Sequence, residues 1–377
     1  MKRYLADTIL SDLCKKMVLL TGPRQVGKTT LAKELMASYR RPQYLNWDVA
    51  DDRRILVGQG WNPRADLLVL DEIHKMPDWK GYLKGVFDGR TEGQAILVTG
   101  SARMETFRQS GESLSGRYFQ ARLHPLSVRE CVELTGANPD DVLDCLIERG
   151  GFPEPFLAEN LVQGERWRQQ YFTDLVREDV LEFSRVQEIR AMRLLVELLR
   201  ERVGSPLSIA SLARDIQVAP NTVAKYLDIL EALYIIFLVP PYHRNVARAI
   251  LKEPKFYFFD TGYVRGDDGV KWENACATML LKHVQFQQDV MGMHSSLNYL
   301  RTKDGAEVDF VLCEGDTPSH LIECKHADHR PASALIKFAR LFPEAQSIQL
   351  VRELRQEEYR RPVSILRGAD WLVELAA

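Results

Sequence analysis

Over the first third of the chain, short and wholly apolar runs alternate with stretches of helical periodicity. Strand-like runs fall near 17–21, 43–47, 66–71, 95–100 and 117–123. Strands apolar on both faces, separated by helix-length segments, form the pattern of a parallel sheet covered by helices. A Gly/Pro-rich stretch, Gly150 to Pro155, marks a break. Helical segments run from about 161 to 203, then a compact pair follows at about 208–216 and from Asn221 to Leu230, joined by Gln217-Val-Ala-Pro220. Two strand-like runs, 234–239 and 255–259, come next. The last part reads as a helix from about Trp272, a strand at 297–301, a strand from Ala306 and a strand from His320 to Lys325. The pattern predicts an α/β chain in three parts, 1–150, 151–265 and 266–377.

Composition narrows this picture only modestly. A chain of 377 residues can bury two or three cores. Its 45% hydrophobic and 27% charged content is that of a globular protein. A net charge of −2 gives no global pull toward nucleic acid, so any such site must come from local clustering. The six cysteines lack C-x-x-C pairs, which argues for reduced thiols and against a zinc site. The N-terminus lacks a signal-peptide core, and the most apolar run, Ala232 to Pro241, is too short to span a bilayer. The expectation is a cytoplasmic protein with no membrane partner.

The first strand leads into a loop of phosphate-binding type. Gly22, Pro23, Arg24, Gln25, Val26, Gly27, Lys28, Thr29 and Thr30 read G-x-x-x-x-G-K-T-T between a strand and a helix. Backbone N–H groups of such a loop wrap a polyphosphate, Lys28 reaches its β- and γ-phosphates, and the Thr29 hydroxyl completes a Mg²⁺ shell. The third strand ends in Asp71 and Glu72. Asp71 suits a Mg²⁺ ligand acting through water, and Glu72 suits the group that polarises the attacking water. In the next strand Ser101 or Thr99 can sense the γ-phosphate, and Ser101 equally suits an N-cap. Arg117 is a candidate arginine finger acting across a subunit interface, or else a strand-edge salt bridge.

Several of these segments together resemble one family. Gly22 to Thr30, Leu70 to Trp79, Thr99 to Arg103, Leu114 to Arg117, Leu123 to Ser127 and Gly150 to Pro155 are similar to the motifs of a prokaryotic family of AAA+-type ATPases. Members of that family carry a C-terminal domain of unknown function. The resemblance runs nearly the whole chain, with Ala102 standing where the family often has a second Ser. It implies an AAA+-like core using ATP and Mg²⁺, in a homo-oligomer such as a hexameric ring.

The middle part reads as a helical lid and a winged helix. Positions 223, 227 and 230 of the second paired helix face a core, leaving Asn221, Thr222, Lys225 and Tyr226 free where a recognition helix meets a DNA groove. The loop between the two strands carries His243, Arg244, Arg248, Lys252 and Lys255 against Glu253, the charge of a phosphate-contacting wing. Protein docking is the other use of such a module.

The last part carries Asp309, then Glu323-Cys-Lys325, with Glu273 on the preceding helix. This layout resembles the PD-(D/E)XK nuclease fold of archaeal Holliday-junction resolvases and restriction-type endonucleases. Period-two spacing puts Glu323 and Lys325 on one strand face. Asp309 and Glu323 can share a Mg²⁺ while Lys325 steadies the nucleophilic water. From Lys337 to Arg367 seven basic residues face four Glu, a phosphate flank or an ordinary solvated face.

These readings lead to an ATP-hydrolysing, DNA-binding protein acting on branched DNA or Holliday junctions, recognising structure rather than sequence. An ATP-dependent switch on a protein partner, with an inert nuclease-like domain, is one alternative. An ATP-gated, Mg²⁺-dependent endonuclease is another.

Overall fold

The computed structural model describes residues 3–100, 114–175, 186–243 and 253–377. Ser101, Ala102, Arg103, Arg244, Arg248 and Lys252 lie outside the described residues. The chain groups into two compact units, Met1–Pro125 and Leu126–Ala377.

In the first unit, helices α1 (Ala6–Leu13), α2 (Lys28–Met36), α3 (Ala50–Gly58) and α4 (Trp79–Asp88) accompany five strands. These are β1 (Met17–Thr21), β2 (Pro42–Asn46), β3 (Leu67–Asp71), β4 (Ala95–Thr99) and β5 (Tyr118–Arg122), each within a residue or so of its expected place. The sheet order is β2-β3-β4-β1-β5, and every pairing is parallel. The order explains the composition of each strand. β1, β3 and β4 lie inside the sheet, are buried at every position and are almost wholly apolar. The edge strands Pro42-Gln-Tyr-Leu-Asn and Tyr118-Phe-Gln-Ala-Arg are half-buried and carry polar side chains. Leu70, Ile73, Trp79, Leu83 and Val98 are among the side chains that fill one core.

The second unit begins with α5 (Val128–Thr135), α6 (Pro139–Arg149), a helical turn α7 (Pro153–Phe156), α8 (Leu161–Leu175) and α9 (Val186–Arg200). A close helix pair follows, α10 (Ile209–Asp215) and α11 (Pro220–Ala232), then an antiparallel pair of strands, β6 (Ile236–Val239) and β7 (Lys255–Phe258). Pro220 opens α11, where its missing N–H costs nothing. The long helix α12 (Asp268–Met291) leads into β8 (Ser295–Arg301), β9 (Glu307–Glu314) and β10 (Thr317–Lys325). Helix α13 (Ser333–Leu341), β11 (Gln346–Val351), β12 (Ser364–Arg367) and α14 (Gly368–Val373) complete the unit. This sheet runs β12-β11-β10-β9-β8, antiparallel from β8 to β10 and parallel from β10 to β12. Among the described residues no helix is long and apolar enough to cross a membrane.

The compact grouping differs from the three-part division at 150 and 265. Residues 126–150, expected with the first sheet, belong to the second unit. Lys282 of α12, 1% exposed, donates to the Ser127 hydroxyl at 2.9 Å and pairs with the buried Glu130. Arg352 pairs with Asp140 at 2.7 Å and with Asp144. That removes it from the basic face expected between Lys337 and Arg367, where Lys337, Arg340, Arg355, Arg360 and Arg361 stay exposed.

The Gly150–Pro155 stretch is likewise a packing site within this unit. Asp260 is buried and ion-paired with Arg168 at 2.8 Å, and Arg168 also donates to the Arg149 carbonyl. A Cβ on Gly150 would lie 1.6 Å from Asp260 Oδ1, and the residue sits at φ 79°, ψ 174°, backbone that only glycine adopts readily. Gly150→Ala should therefore strain the turn and prise apart a buried ion pair. We expect a stability loss of roughly 3 kcal/mol or more in chemical denaturation.

Helix α12 also carries an acid-sensitive contact. His283 Nδ1 accepts from the Ala376 backbone N–H at 3.0 Å. Burial, with the His320 ring adding to it, lowers His283 to about 4. Between about 6.5 and about 4 the unfolded chain takes up a proton that the native state refuses, so stability falls as pH drops through that window. His283→Asn, which keeps an acceptor, should remove on the order of 1–3 kcal/mol of that acid-side slope in denaturation curves recorded across the window.

Candidate nucleotide-binding and hydrolysis site

Parallel strands place their carboxyl ends on one edge of a sheet, where the chain leaves for a helix and backbone groups are free. On that edge the loop from Gly22 to Gly27 leaves β1 and enters α2. Gly22 sits at φ 140°, and a Cβ there would lie 2.3 Å from the Leu123 carbonyl oxygen, so only glycine lets the loop start so close to the end of β5. Gln25 at φ 58° and Gly27 at φ 100° complete the turn. The N-terminal segment braces it. The buried Arg3 donates to the Val26 carbonyl at 2.8 Å and to the His124 carbonyl at 2.5 Å, while the Tyr4 hydroxyl donates to the Arg122 carbonyl at 2.6 Å.

The Lys28 ammonium is buried and donates to the loop's own carbonyls, at 2.9 Å to Gly22 and 2.5 Å to Pro23. Burial pushes it down to about 8, against the opposing pull of Glu72 and Asp71. A lysine so held is desolvated beforehand and poised to trade carbonyls for phosphate oxygens.

Asp71 is the centre of the site. It is 3% exposed at the end of β3. Its Oδ2 accepts from the Thr29 hydroxyl at 3.0 Å and from the Tyr44 hydroxyl at 2.5 Å. Its Oδ1 accepts from the Thr99 hydroxyl and from the Glu72 backbone N–H, the latter at 3.1 Å. The strand order makes this possible. β4 lies between β1 and β3, and the register sets Thr99 beside Asp71 on one side and Leu20 on the other.

Glu72 follows at φ 55°, with its N–H also within 3.0 Å of the Thr99 carbonyl. Its carboxylate lies 3.4 Å from Lys75 Nζ and 3.6 Å from His74 Nε2. Burial raises its proton affinity, with Lys75 pulling the other way. Lys75 is anchored in turn on Asp48 at 2.5 Å. A carboxylate of raised basicity beside a fixed Asp–Thr pair is equipped to take a proton from water.

Arg117 lies at the other edge. Its carbonyl accepts from the Met17 N–H at the start of β1, and its guanidinium forms a two-point pair with Asp88 at 2.8 and 2.9 Å. Sequence reading missed Tyr44, Lys75, Asp48 and Arg3. The one signal for Tyr44 was its place in Gln43-Tyr-Leu-Asn46, a polar alternation on an edge strand that puts Tyr44 and Asn46 on one face.

In the second unit, Asn221 and Lys225 are exposed on α11 and Thr222 is half-buried. Tyr226, expected to be free, is instead 2% exposed, because it turns inward with Val223, Leu227 and Leu230. Lys255, expected in the wing, opens β7 and is 1% exposed. Its ammonium lies 2.6 Å from Glu307, 3.2 Å from Glu273 and 3.4 Å from Asp309. Glu273 also accepts from the Tyr257 hydroxyl at 2.6 Å, and Asp309 Oδ2 accepts from the Cys324 N–H at 2.9 Å. Glu323 pairs with Lys325 at 2.8 Å on the shared face of β10. The structure thus brings Glu273, Asp309, Glu323 and Lys325 toward one place, with Lys255 and Glu307 added. Burial and the neighbouring Asp309 charge raise the proton affinity of both Glu273 and Glu323. Among the described residues no group of three or more His, Cys, Asp or Glu is disposed to hold a metal ion.

A parallel five-stranded sheet with this loop and this carboxylate is that of a P-loop ATPase. Residues 14–132 match the model of an AAA domain. Residues 140–269 match a domain of unknown function (DUF8612), and residues 268–367 another (DUF4143). The chain therefore carries an AAA-type ATPase domain with a DUF4143 domain toward its C-terminus. An uncharacterized protein of Mycobacterium bovis is 29% identical over 315 residues, which span 78% of this chain and 67% of that protein. An uncharacterized protein of Haemophilus influenzae is 23% identical over 344 residues, 84% of each. The solved Walker-type ATPase of Pyrococcus abyssi superposes with a TM-score of 0.43 at 12% identity, over 68% of this chain and 93% of that one.

Tyr44 gives a direct test of the site. Tyr44→Phe removes the hydrogen bond to Asp71 and a long one, 3.3 Å, accepted from Asn46 Nδ2, and nothing from the loop. We expect ATP turnover to fall about tenfold, the worth of one charge-assisted hydrogen bond, with the melting temperature little changed.

Proposed function

We propose that this chain hydrolyses ATP with Mg²⁺ and directs the resulting conformational change to work on DNA. The observation that carries the hydrolytic half is the Asp71 centre, which gathers Thr29, Thr99 and Glu72 beside the buried Lys28. In this reading the backbone from Gly22 to Thr30 and the Lys28 ammonium hold the polyphosphate. Thr29 and Asp71 hold the metal, and their spacing and the acceptor character of Asp71 suit it. Mg²⁺ supplies charge neutralisation on the phosphoryl oxygens. Glu72 takes the proton from the attacking water. Thr99 fixes the second Asp71 oxygen, and Ser101 is the alternative γ-phosphate contact. Arg117, paired with Asp88 on the far edge, serves a phosphate only when it comes from a second copy in a homo-oligomer.

Three features support the DNA half. The order α10, α11, β6, β7 is the one that the winged-helix reading calls for. Exposed Asn221 and Lys225 stand at the start of its second helix. The antiparallel β8-β9-β10 sheet, followed by α13 and a parallel β11, is the arrangement expected of a PD-(D/E)XK nuclease-like fold. A second reading, an ATP-dependent switch on a protein partner, is favoured by the burial of Tyr226 and Lys255, which removes two of the groups assigned to DNA.

Two measurements test the proposal. Glu72→Gln should still bind ATP while turnover drops about a hundredfold or more, as loss of a general base requires. ATP turnover of the native chain should rise with duplex, single-stranded or four-way-junction DNA at low salt, and the rise should shrink in Asn221→Ala/Lys225→Ala. Turnover indifferent to all three DNAs, with no binding to any of them, would leave the protein-partner switch standing.

A further inference from the structure

The nuclease-like reading implies a divalent cation between Asp309 and Glu323. Glu323 Oε2 is buried without a hydrogen-bond partner, but the place beside Asp309 is already held by a positive charge. Asp309 Oδ2 accepts from the Cys324 N–H at 2.9 Å, and its Oδ1 faces the Lys255 ammonium at 3.4 Å. Glu273 Oε1 already accepts from Tyr257 and Lys255. The cation among these carboxylates is the chain's own. Lys255 Nζ has three carboxylate partners for its three N–H donors: Glu307 at 2.6 Å, Glu273 at 3.2 Å and Asp309 at 3.4 Å.

Lys255 cannot readily leave. It is 1% exposed, and Val239 opposite it and Phe256 after it are buried. Its ammonium is thus held among the carboxylates rather than carried out to water. A divalent ion at Asp309 would sit beside that buried positive charge and be repelled by it. Burial alone would lower the Lys255 pKa, but Glu273, Asp309 and Glu307 outweigh burial and raise it, so the side chain stays charged.

We propose that Lys255 takes the metal's place: the acidic cluster of the second unit is a metal-independent ionic joint that ties β7 to α12 and β9, not a Mg²⁺ centre for DNA cleavage. The joint unites separate elements, since Lys255 comes from β7, Glu273 from α12, and Glu307 and Asp309 from β9. It leaves the nuclease-like sheet as a binding or scaffold module. The inference rests on the nuclease-like reading of that sheet and is independent of ATP hydrolysis.

The test uses Mn²⁺ as the probe, followed by electron paramagnetic resonance on the nucleotide-free full chain. The native chain and Asp309→Asn should take up the same number of Mn²⁺ ions. Lys255→Met, which keeps the stem and removes the charge, should gain Mn²⁺ affinity of at least about tenfold at a site that Lys255→Met/Asp309→Asn lacks. A native chain that binds an ion absent from Asp309→Asn overturns the proposal, and this comparison stands even if Lys255→Met does not fold. A folded Lys255→Met that gains no site also overturns it.

Discussion

A single buried carboxylate organises the first unit. Asp71 accepts hydrogen bonds from Thr29, Tyr44, Thr99 and the Glu72 backbone, donors that come from α2, β2, β4 and its own strand end. A charge this buried is tolerable only when its lone pairs are satisfied. The strand order is what satisfies them, because β4 between β1 and β3 puts Thr99 in reach and β2 on the other flank brings Tyr44. The loop glycines, the Arg3 brace and the Glu72 turn act around that fixed point.

The second unit is held by buried charge of another kind. Lys282 with Glu130, Arg168 with Asp260, and Lys255 with three carboxylates all join segments distant in sequence. Such pairs add little net stability over an apolar substitute, yet losing one partner is costly because the other is left buried and unpaired. Each therefore penalises any packing of this unit that would separate its partners. The same logic makes Gly150 a packing residue, since a side chain there would displace Asp260.

Where the pattern of side chains is itself the physical cause, the sequence was legible. Interior parallel strands are apolar throughout because both faces are covered, and β1, β3 and β4 were readable for that reason. The phosphate loop was readable because its glycines answer local backbone needs. The pairing of Glu323 with Lys325 followed from period-two spacing. Tyr226 and Lys255 were misjudged because polar atoms at the tip of a large side chain say nothing about where its body packs. Residues 126–150 pack within the second compact unit because Lys282 of α12 and Arg352, more than a hundred residues on, hold α5 and α6.

The sequence by itself determined the nucleotide loop, the two carboxylates after β3 and the alternation of strands and helices, since each depends on neighbours within a few residues. Tertiary structure alone decided which donors reach Asp71, which edge Arg117 occupies and which cation stands among Glu273, Glu307 and Asp309. Those choices depend on strand order and on pairings across long stretches of chain, and the distance between two carboxylates is not encoded in the spacing of either one.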